Sequence, residues 1–472
     1  MKVRILYVVS LITVLALVLT SCAPASTPTP QVITKKETVV VKETQVVKET
    51  QVVTQVVTPT PPPPAEKIVL EAWTKYAPIS DEARRQAFEK VKAIWNGKHP
   101  EAQIVHVTFT ATEFRTAGTL AMMSGQTGCL VTAESGAAQF IPWYQQGMLM
   151  SLDKPARELG WLERDKGGFI LQSHQIIKPS KLGAGPEVYG VHLWYQPLGV
   201  FYNKEMFKKY NVPIPTDYKS LAAAFDTFKA AGIRPIAYAG ARKSAVIHMF
   251  SCLLHSNVNI DRIDAWWKGS DPNVKFTDPD FLWAAQTYAS WPGKGYLSED
   301  PLALSLDDAL GKFLRGEQPI MITGDWMIPQ MVASGLDLGF FPFPRNDPNI
   351  PWTIVRAGDY PFVIANTCPY KDKAVEFLNF LTGPEMAAAA FEQGLQPVYP
   401  FDSTGLKASN LQLEVAAGMK DKRSGYYIDI VDTEVVAMMA PALQEMIGGK
   451  LTPEGFCAQV QAAREKYLAE HK

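Results

Sequence analysis

From residue 68 onward, the sequence alternates short apolar runs of strand length with amphipathic runs of helix length. Residues 68–73, 104–109 and 129–132 are mostly apolar, whereas residues 81–95 and 114–124 place apolar side chains at helical spacing. A strand that is followed by a helix usually returns to the same sheet as a parallel strand. The alternation therefore predicts an α/β fold with a largely parallel sheet, and 472 residues are enough for two or three domains.

The same patterns continue along the chain, so the folded part is predicted to begin near Lys67. Further strands are predicted at residues 189–193, 199–202, 233–238, 319–323, 338–343 and 360–365. Further helices are predicted at residues 140–146, 203–207, 220–231, 244–255, 261–268, 280–291, 305–315, 371–381, 384–393, 405–420, 432–448 and 453–471.

The N-terminus has the pattern of an export signal. Lys2 and Arg4 precede an apolar stretch at residues 5–19, which is short for a membrane span, and small residues then lead to Cys22. This order resembles a bacterial lipoprotein signal, in which residues 1–21 are removed and Cys22 carries lipid. We therefore expect an exported protein that lipid holds at the outer face of the cytoplasmic membrane, while an ordinary signal peptide or a transmembrane anchor stays open.

Residues 22–65 have the composition of a stalk. Pro and Thr dominate both ends, residues 61–64 are four consecutive prolines, and Val-Val-Lys-Glu-Thr occurs at 40–44 and again at 46–50. Such a low-complexity segment cannot bury a core, and a proline-rich tether is extended. The segment is predicted to hold the folded part away from the membrane.

Charge and cysteine content exclude some partners and leave others open. The 46 basic and 47 acidic residues give a net charge of −1 without a basic block, so nucleic acid is not expected as a partner. Four cysteines follow the stalk at wide spacing, which favours mostly free, buried thiols, although an exported protein permits pairing. They are Cys129, Cys252, Cys368 and Cys457.

Residues 313–326 end with a combination that suits a polyol. The end of a helix is followed by an apolar run of strand length and then by Gly324, Asp325 and Trp326. An indole ring stacks on the C–H face of a sugar, and a carboxylate accepts hydrogen bonds from its hydroxyls. A carbohydrate contact at Asp325 and Trp326 is one interpretation, and a plain turn with a buried Trp is the other.

Three segments resemble those of the bacterial ABC-transporter extracellular solute-binding proteins, in particular the sugar-type family that includes maltose-binding protein. They are GVFYNKEMF at 199–207 followed by VPIPT at 212–216, FLRGEQPIMITGDW at 313–326, and residues 366–382 with AVEFL. Order and spacing agree with the family over about residues 66–472. The chain departs from it at Thr216-Asp217-Tyr218, where the family has Thr-Trp, and near residues 128–129, where it lacks a Pro-Asp pair.

The resemblance implies a two-lobe, periplasmic-binding-protein-like fold (type II) with a ligand cleft between hinge-linked lobes. Lobe one would comprise residues 66–195 and 356–397, and lobe two residues 196–355 and 398–472. The chain would cross between lobes near residues 194–199, 353–360 and 396–400. It further implies a monomer without cofactor or metal that closes on a carbohydrate and delivers it to an ABC permease.

Candidate ligand contacts follow from the resemblance and from position. Strand ends collect ligand groups in α/β clefts, glycine lets a backbone approach closely, and the family uses a polar group on the ligand at the first crossing. For several of these residues, burial in the core is an equally simple interpretation. The candidates are Trp326, Asp325, Gln196, Tyr195, Tyr76, Trp73, Glu134, Ser135, Lys243, Gly358, Asp359 and Tyr427.

Other functions have weaker support. His248, Cys252 and His255 share one face of a predicted helix, where a packed core face is the simpler interpretation than a metal site. No nucleophile elbow, phosphate loop or His-Glu-x-x-His motif is present, so no enzyme is predicted. A binding protein for a peptide, polyamine or anion is the first alternative, and a secreted glycoside hydrolase is the second.

Overall fold

A computed structural model describes residues 67–78, 81–134, 139–165, 167–170, 188–298, 300–428 and 433–470. Residues 1–66, which contain the predicted signal and stalk, and the candidate Ser135 lie outside these ranges. Contacts divide the chain into residues 1–63 and 64–472, and every described residue belongs to the second unit. No helix among the described residues is both long enough and apolar enough to cross a bilayer.

The first sheet has four strands in the order β2-β1-β3-β8. Strands β1 (Ile68–Thr74), β2 (Ala102–Thr108) and β3 (Leu130–Thr132) are parallel, as the alternating pattern predicted. Strand β8 (Phe362–Ile364) comes from a distant part of the chain and pairs antiparallel with β3. The sheet therefore joins two chain segments that are far apart in sequence.

Helices cover both faces of this sheet. On one face lies the first core, which includes Leu70, Phe88 and Trp95, and on the other face lies a cluster around Phe114 and Trp143. The surrounding helices are α1 Glu82–Lys98, α2 Ala111–Ser124, α3 Phe140–Gln145, α4 Asp153–Glu158, α5 Trp161–Arg164 and, from the distant segment, α13 Lys371–Leu381 and α14 Pro384–Glu392.

The second sheet is built around one long strand, β4 (Trp194–Asn203). Its partners β5, β6, β7 and β9 all pair with it antiparallel, so the prediction of a largely parallel sheet is wrong here. Residues 233–238 contribute only one bridge, from Ile236 to Ile320, rather than the predicted strand. The strands are β5 Ile320–Gly324, β6 Leu338–Pro342, β7 Thr353–Gly358, β9 Gln396–Pro397 and β10 Arg423–Gly425.

A second, larger core lies on one face of this sheet and a smaller cluster around Phe201 and Phe313 lies on the other. Phe225, Phe250 and Trp291 are fully buried in the second core. The helices are α6 Lys204–Lys209, α7 Tyr218–Ala230, α8 Lys243–Asn257, α9 Ile260–Lys268, α10 Pro279–Lys294, α11 Leu306–Leu314, α12 Ile328–Ala333, α15 Asn410–Met419, α16 Thr433–Ile447 and α17 Pro453–Glu470.

Strand β4 contributes side chains to both cores. Trp194 belongs to the first core and Leu198 to the second. The first residues of β4 pair with β7 and β9, and the remaining residues pair with β5 and β6. The three segments that the resemblance assigns to crossings are thus neighbours in one sheet, while the lobe boundaries themselves stay a prediction.

The cysteines differ from the expectation of mostly free thiols. Cys129 and Cys368 form a disulfide that spans a sequence separation of 239 residues, while Cys252 and Cys457 are free and buried. Pairing of β3 with β8 brings the two bonded residues together, because Cys129 precedes β3 and Cys368 follows β8. Sequence spacing alone could not reveal this neighbourhood.

Candidate ligand site

Trp326 lines an open recess beside the second core. Strand β5 ends at Gly324, and a 3₁₀ turn over Asp325–Met327 leads into α12. A Cβ atom at Gly324 would lie 1.9 Å from the Trp326 ring, so only glycine lets the indole fold back over the strand end. The ring is half-buried, which leaves part of it available for a ligand.

The recess is formed by the end of β5, the start of α8 and the turn before α8. His248 of α8 lies with its ring centroid 5.6 Å from that of Trp326, and the Tyr427 ring lies 4.8 Å from His248 on its other side. Aromatic and aliphatic groups supply most of the wall, and a few polar groups are placed among them. The lining residues are Ala237, Tyr238, Ala239, Arg242, Ser244, Ala245, His248, Met249, Leu306, Met321, Ile322, Thr323 and Trp326.

Asp325, next to Trp326, is buried with 5% of its surface exposed. Burial raises its pKa well above the usual range, Arg84 opposes this rise, and Asp359 adds to it. Arg84 belongs to α1, beside the first sheet, whereas Asp325 follows β5 of the second sheet. The carboxyl group of Asp325 therefore experiences charges from both halves of the described fold.

Arg84 is the centre of a buried polar network at the crossing strands. Its Nε donates to Asp359 Oδ2 at 2.6 Å and its Nη1 donates to Asp81 Oδ1 at 2.6 Å. With the Gln196 amide oriented to satisfy both ends, its oxygen accepts from Arg84 Nη2 at 2.6 Å and its nitrogen donates to Asp359 at 3.2 Å. The indole N–H of Trp194 also donates to Asp359. This network ties α1 to β4 and to the end of β7.

A second polar cluster lies where β1 and β3 end. Lys75 is fully buried, with its Nζ 3.5 Å from a Glu134 carboxylate oxygen and 4.5 Å from the centre of the Tyr360 ring. Burial lowers the pKa of Lys75 to about 7, although the nearby carboxylate of Glu134 counteracts the shift. Arg115 of α2 donates to Glu134 at 2.9 Å. The carboxyl ends of parallel strands thus gather ionisable groups here, while a ligand contact at Glu134 stays a prediction.

Two further candidates at the crossings have partners within the protein. Tyr195 stacks on Phe169 with ring centroids 4.9 Å apart, and the Arg356 guanidinium lies 5.5 Å from the Tyr195 ring. Tyr427 is buried, and its hydroxyl donates to the backbone oxygen of Gln196. Both side chains therefore support the crossing strands, and Tyr427 reaches the recess only through His248.

Other candidates lie away from the recess. Tyr76 is fully buried in the first core, because the inward alternation of Ala72 and Thr74 continues to it. Trp73 packs against Phe109 and donates to Glu71 at 2.8 Å. For Tyr76 and Trp73, core packing therefore describes the structure better than a ligand contact.

The remaining two candidates, Lys243 and Gly358, do not line the recess. Lys243 is exposed and does not line it, whereas its neighbours Arg242 and Ser244 do. Gly358 packs against the His192 ring, where an added Cβ would lie 2.3 Å from a ring atom. Close backbone approach is thus observed at Gly358, but toward a protein side chain.

Sequence reasoning missed several residues of these clusters. Arg84 and Arg115 occur within helices, where charged residues normally face solvent, and only the fold turns them toward buried carboxylates. Arg242 stands just before a predicted helix, but so does the neighbouring Lys243. The sequence alone could not tell which of the two would line the recess. Tyr360 directly follows the candidates Gly358 and Asp359, so a candidate segment that was one residue longer would have included it.

The helix face with His248, Cys252 and His255 is mainly packed. Cys252 and His255 are buried in or beside the second core, and the His255 ring pairs with the backbone oxygen of Ser251 at 2.9 Å. Burial lowers the pKa of His255 to about 4. No group of three or more His, Cys, Asp or Glu side chains suited to a metal ion occurs in the described part of the chain.

Known proteins share this architecture. A solved chitin oligosaccharide binding protein superposes with a TM-score of 0.72 at 19% identity, covering 85% of this chain and 99% of that one. A solute-binding protein in complex with raffinose gives a TM-score of 0.64 at 16% identity, covering 85% and 99%. At such coverage the fold is the two-lobe, periplasmic-binding-protein-like fold that the resemblance implied.

Sequence comparison gives the family. The chain is 25% identical over 170 residues to an uncharacterized ABC transporter extracellular-binding protein of Pyrococcus horikoshii, an overlap of 33% of this chain. That overlap spans only 37% of the length of the curated relative. The model of the bacterial extracellular solute-binding protein family matches residues 77–388, which is well over half of the chain. The chain belongs to the bacterial extracellular solute-binding protein family.

Proposed function

We propose that this protein is the substrate-binding lipoprotein of an ABC importer, that it captures a mono- or oligosaccharide, and that it delivers this ligand to a membrane permease. Family membership supports the importer role, and the chitin oligosaccharide and raffinose proteins of the same fold support a carbohydrate. Cys22 would carry the lipid, and residues 22–65 would form the tether. The protein would bind the sugar without hydrolysing it and would act as a monomer.

The observation that carries the carbohydrate proposal is the half-exposed Trp326 ring at the recess. Its neighbours provide what a sugar needs: a flat apolar surface, the hydroxyl of Thr323 and ring nitrogens of His248. Such a wall stacks on the C–H face of a pyranose while polar groups fix its hydroxyls. A peptide or polyamine would use mainly charged contacts instead.

Lobe closure would occur about the strands that surround Gln196 and Asp359. In the proposed division, lobe one comprises residues 66–195 and 356–397, and lobe two residues 196–355 and 398–472. In this division Arg84, which bonds to Asp359 at the crossing, belongs to lobe one, while Asp325 and Trp326 belong to lobe two. A ligand that contacts both sides shifts the population toward the closed form.

The proposal is tested by calorimetric titration of the full chain with Cys22→Ser, which prevents lipid attachment. The panel contains chitin oligosaccharides, raffinose, amino acids and polyamines. A carbohydrate should bind with a Kd of about 1 μM, equivalent to about 8 kcal/mol. Binding of a polyamine or amino acid in the absence of any sugar binding would overturn the proposal, and release of new reducing ends would indicate a hydrolase.

A pair of tryptophan variants tests the site. Trp326→Ala should weaken sugar binding about 30-fold, as expected for about 2 kcal/mol at an aromatic hot spot. Trp283→Ala is the matched control, because Trp283 is also half-buried against the second core but does not line the recess. Equal affinities of the two variants would show that Trp326 is not a ligand contact.

A further inference from the structure

The charged side chain that lines the recess is a cation. Arg242 carries this charge, and no carboxylate is among the described lining residues. The Tyr238 hydroxyl is already used in a hydrogen bond with Tyr288 at 2.6 Å. Neutral sugars are commonly held by carboxylates that accept from hydroxyls, so a recess without them favours a ligand that itself brings acceptors.

The start of α8 adds to this positive character. Arg242 is its N-cap residue, and no side chain caps the helix. Ser244 and Ala245 of the first turn line the recess, and the backbone N–H groups of a first turn have no partner within the helix. A fifteen-residue helix also directs the positive end of its dipole to this point.

The hydroxyl of Thr323 provides an independent polar group in the same recess. Thr323 is 6% exposed and lines the recess, and its side chain takes part in no hydrogen bond with the described residues. The hydroxyl oxygen is not among the fully buried polar atoms that lack a partner, so it can be reached from the recess and can donate to or accept from a ligand. It lies on the strand that leads directly to Trp326.

The turn that presents Arg242 is fixed. Ala241 N donates to Leu304 O at 3.1 Å, and Arg242 N donates to Ala239 O at 3.2 Å. A Cβ atom at Gly240 would lie 1.9 Å from Pro301 O, so the backbone packs there without space for a side chain. The backbone at the start of α8 is therefore in place before a ligand arrives, and Arg242 Nε donates to Ser244 Oγ at 2.9 Å, which reduces the cost of ordering these groups.

From these observations we propose that the recess binds an anionic sugar, with its carboxylate or phosphate at the start of α8 and Arg242 and its ring on Trp326. The inference rests on the proposed carbohydrate function and narrows it to acidic carbohydrates. The acidic group accepts from the guanidinium, from the free N–H groups of the first turn and from Thr323. Two matched probe pairs separate the sources of charge: a galacturonate oligosaccharide with its methyl ester, and glucose 6-phosphate with glucose.

Titration of the full chain with Cys22→Ser should show at least about tenfold tighter binding of one acidic probe than of its neutral partner, a difference of about 1.4 kcal/mol. Arg242→Gln should remove most of this difference between the acidic probe and its neutral partner. Arg315→Gln is the control, since Arg315 is an exposed arginine at the end of α11 that pairs with Glu317 away from the recess. It should retain the preference.

Each other outcome has a definite meaning. Equal or tighter binding of the neutral partner overturns the anionic inference, and it leaves the carbohydrate function standing if that binding depends on Trp326. Equal effects of Arg242→Gln and Arg315→Gln likewise overturn it, because the charge would then act from anywhere on the surface. If neither acidic nor neutral carbohydrate binds, the inference and the proposed function fail together.

Discussion

Loss of the disulfide between Cys129 and Cys368 should greatly lower the free energy of unfolding. The bond closes a loop with a sequence separation of 239 residues and joins the two chain segments of the first sheet. The loop-entropy relation gives about 5 kcal/mol for a loop of this length, as an upper value. Because the bonded residues lie beside β3 and β8, the loss should appear as easier separation of the distant segment from the first core.

The assay compares oxidised wild type with the double variant Cys129→Ala/Cys368→Ala in urea, both with Cys22→Ser. Four of the five cysteines remain after that change, so titration of the unfolded wild type should find two thiols before reduction and four after it. Reduction should lower the unfolding midpoint of the wild type toward that of the variant. The recess lies in the other core region, so ligand affinity of the folded protein should change little.

Reductant added to the double variant provides the control, because no bond is left to break. Unequal midpoints for the variant with and without reductant would point to an effect of the reagent itself. The reasoning is refuted if wild type and variant unfold at the same urea concentration, or if four thiols react before reduction. In the first case the paired strands alone would hold the distant segment, and in the second the bond would be absent.

Three further changes test the polar networks and the crossing. Arg84→Gln should cost about 3–5 kcal/mol of stability in urea unfolding, because it removes the cationic partner of the buried Asp359 carboxylate. Arg85→Gln on the same helix should cost about 0.5 kcal/mol or less. Gly358→Ala should cost about 1–3 kcal/mol through contact with His192, and Gly293→Ala, with open space around it, should cost nothing. Asp325→Asn should raise the melting temperature increasingly as the pH rises above the ordinary pKa of an aspartate, 3.8, because the carboxyl ionises in the unfolded chain while the buried one in the folded protein stays protonated. A constant difference between variant and wild type would contradict this.

Much of the fold was predictable because hydrophobic periodicity is a local property. The predicted strands at residues 68–73 and 104–109 became β1 and β2, and the helices at 371–381 and 384–393 were placed within a residue or so. Direction within a sheet is not local. The second sheet is mainly antiparallel because β4 runs between strands that come from distant segments, and no pattern inside β4 records this.

Candidate site residues could be predicted where the residue type itself suggests a ligand contact. They could not be predicted where the fold decides whether a side chain points into the core or out of it. Trp326 was chosen because an indole beside a carboxylate at a strand end suits a sugar, and the structure places it at the recess, although its contact with a ligand stays a prediction. Asp359 was chosen because it lies at a crossing next to Gly358. Tyr76 was misplaced because a strand end can turn inward as easily as outward. Cys129 and Cys368 were expected to be free because their proximity arises only through the pairing of β3 with β8.

The first core is built from two chain segments that are far apart in sequence, so it cannot form completely until the later segment has been synthesised. A chain made from its N-terminus presents Cys129 long before Cys368, and Cys252 appears between them. Cys129 therefore has a wrong partner within reach before the right one exists. Burial of Cys252 in α8 removes that partner once the second core forms. Correct pairing is therefore favoured when the second core forms before Cys129 is oxidised.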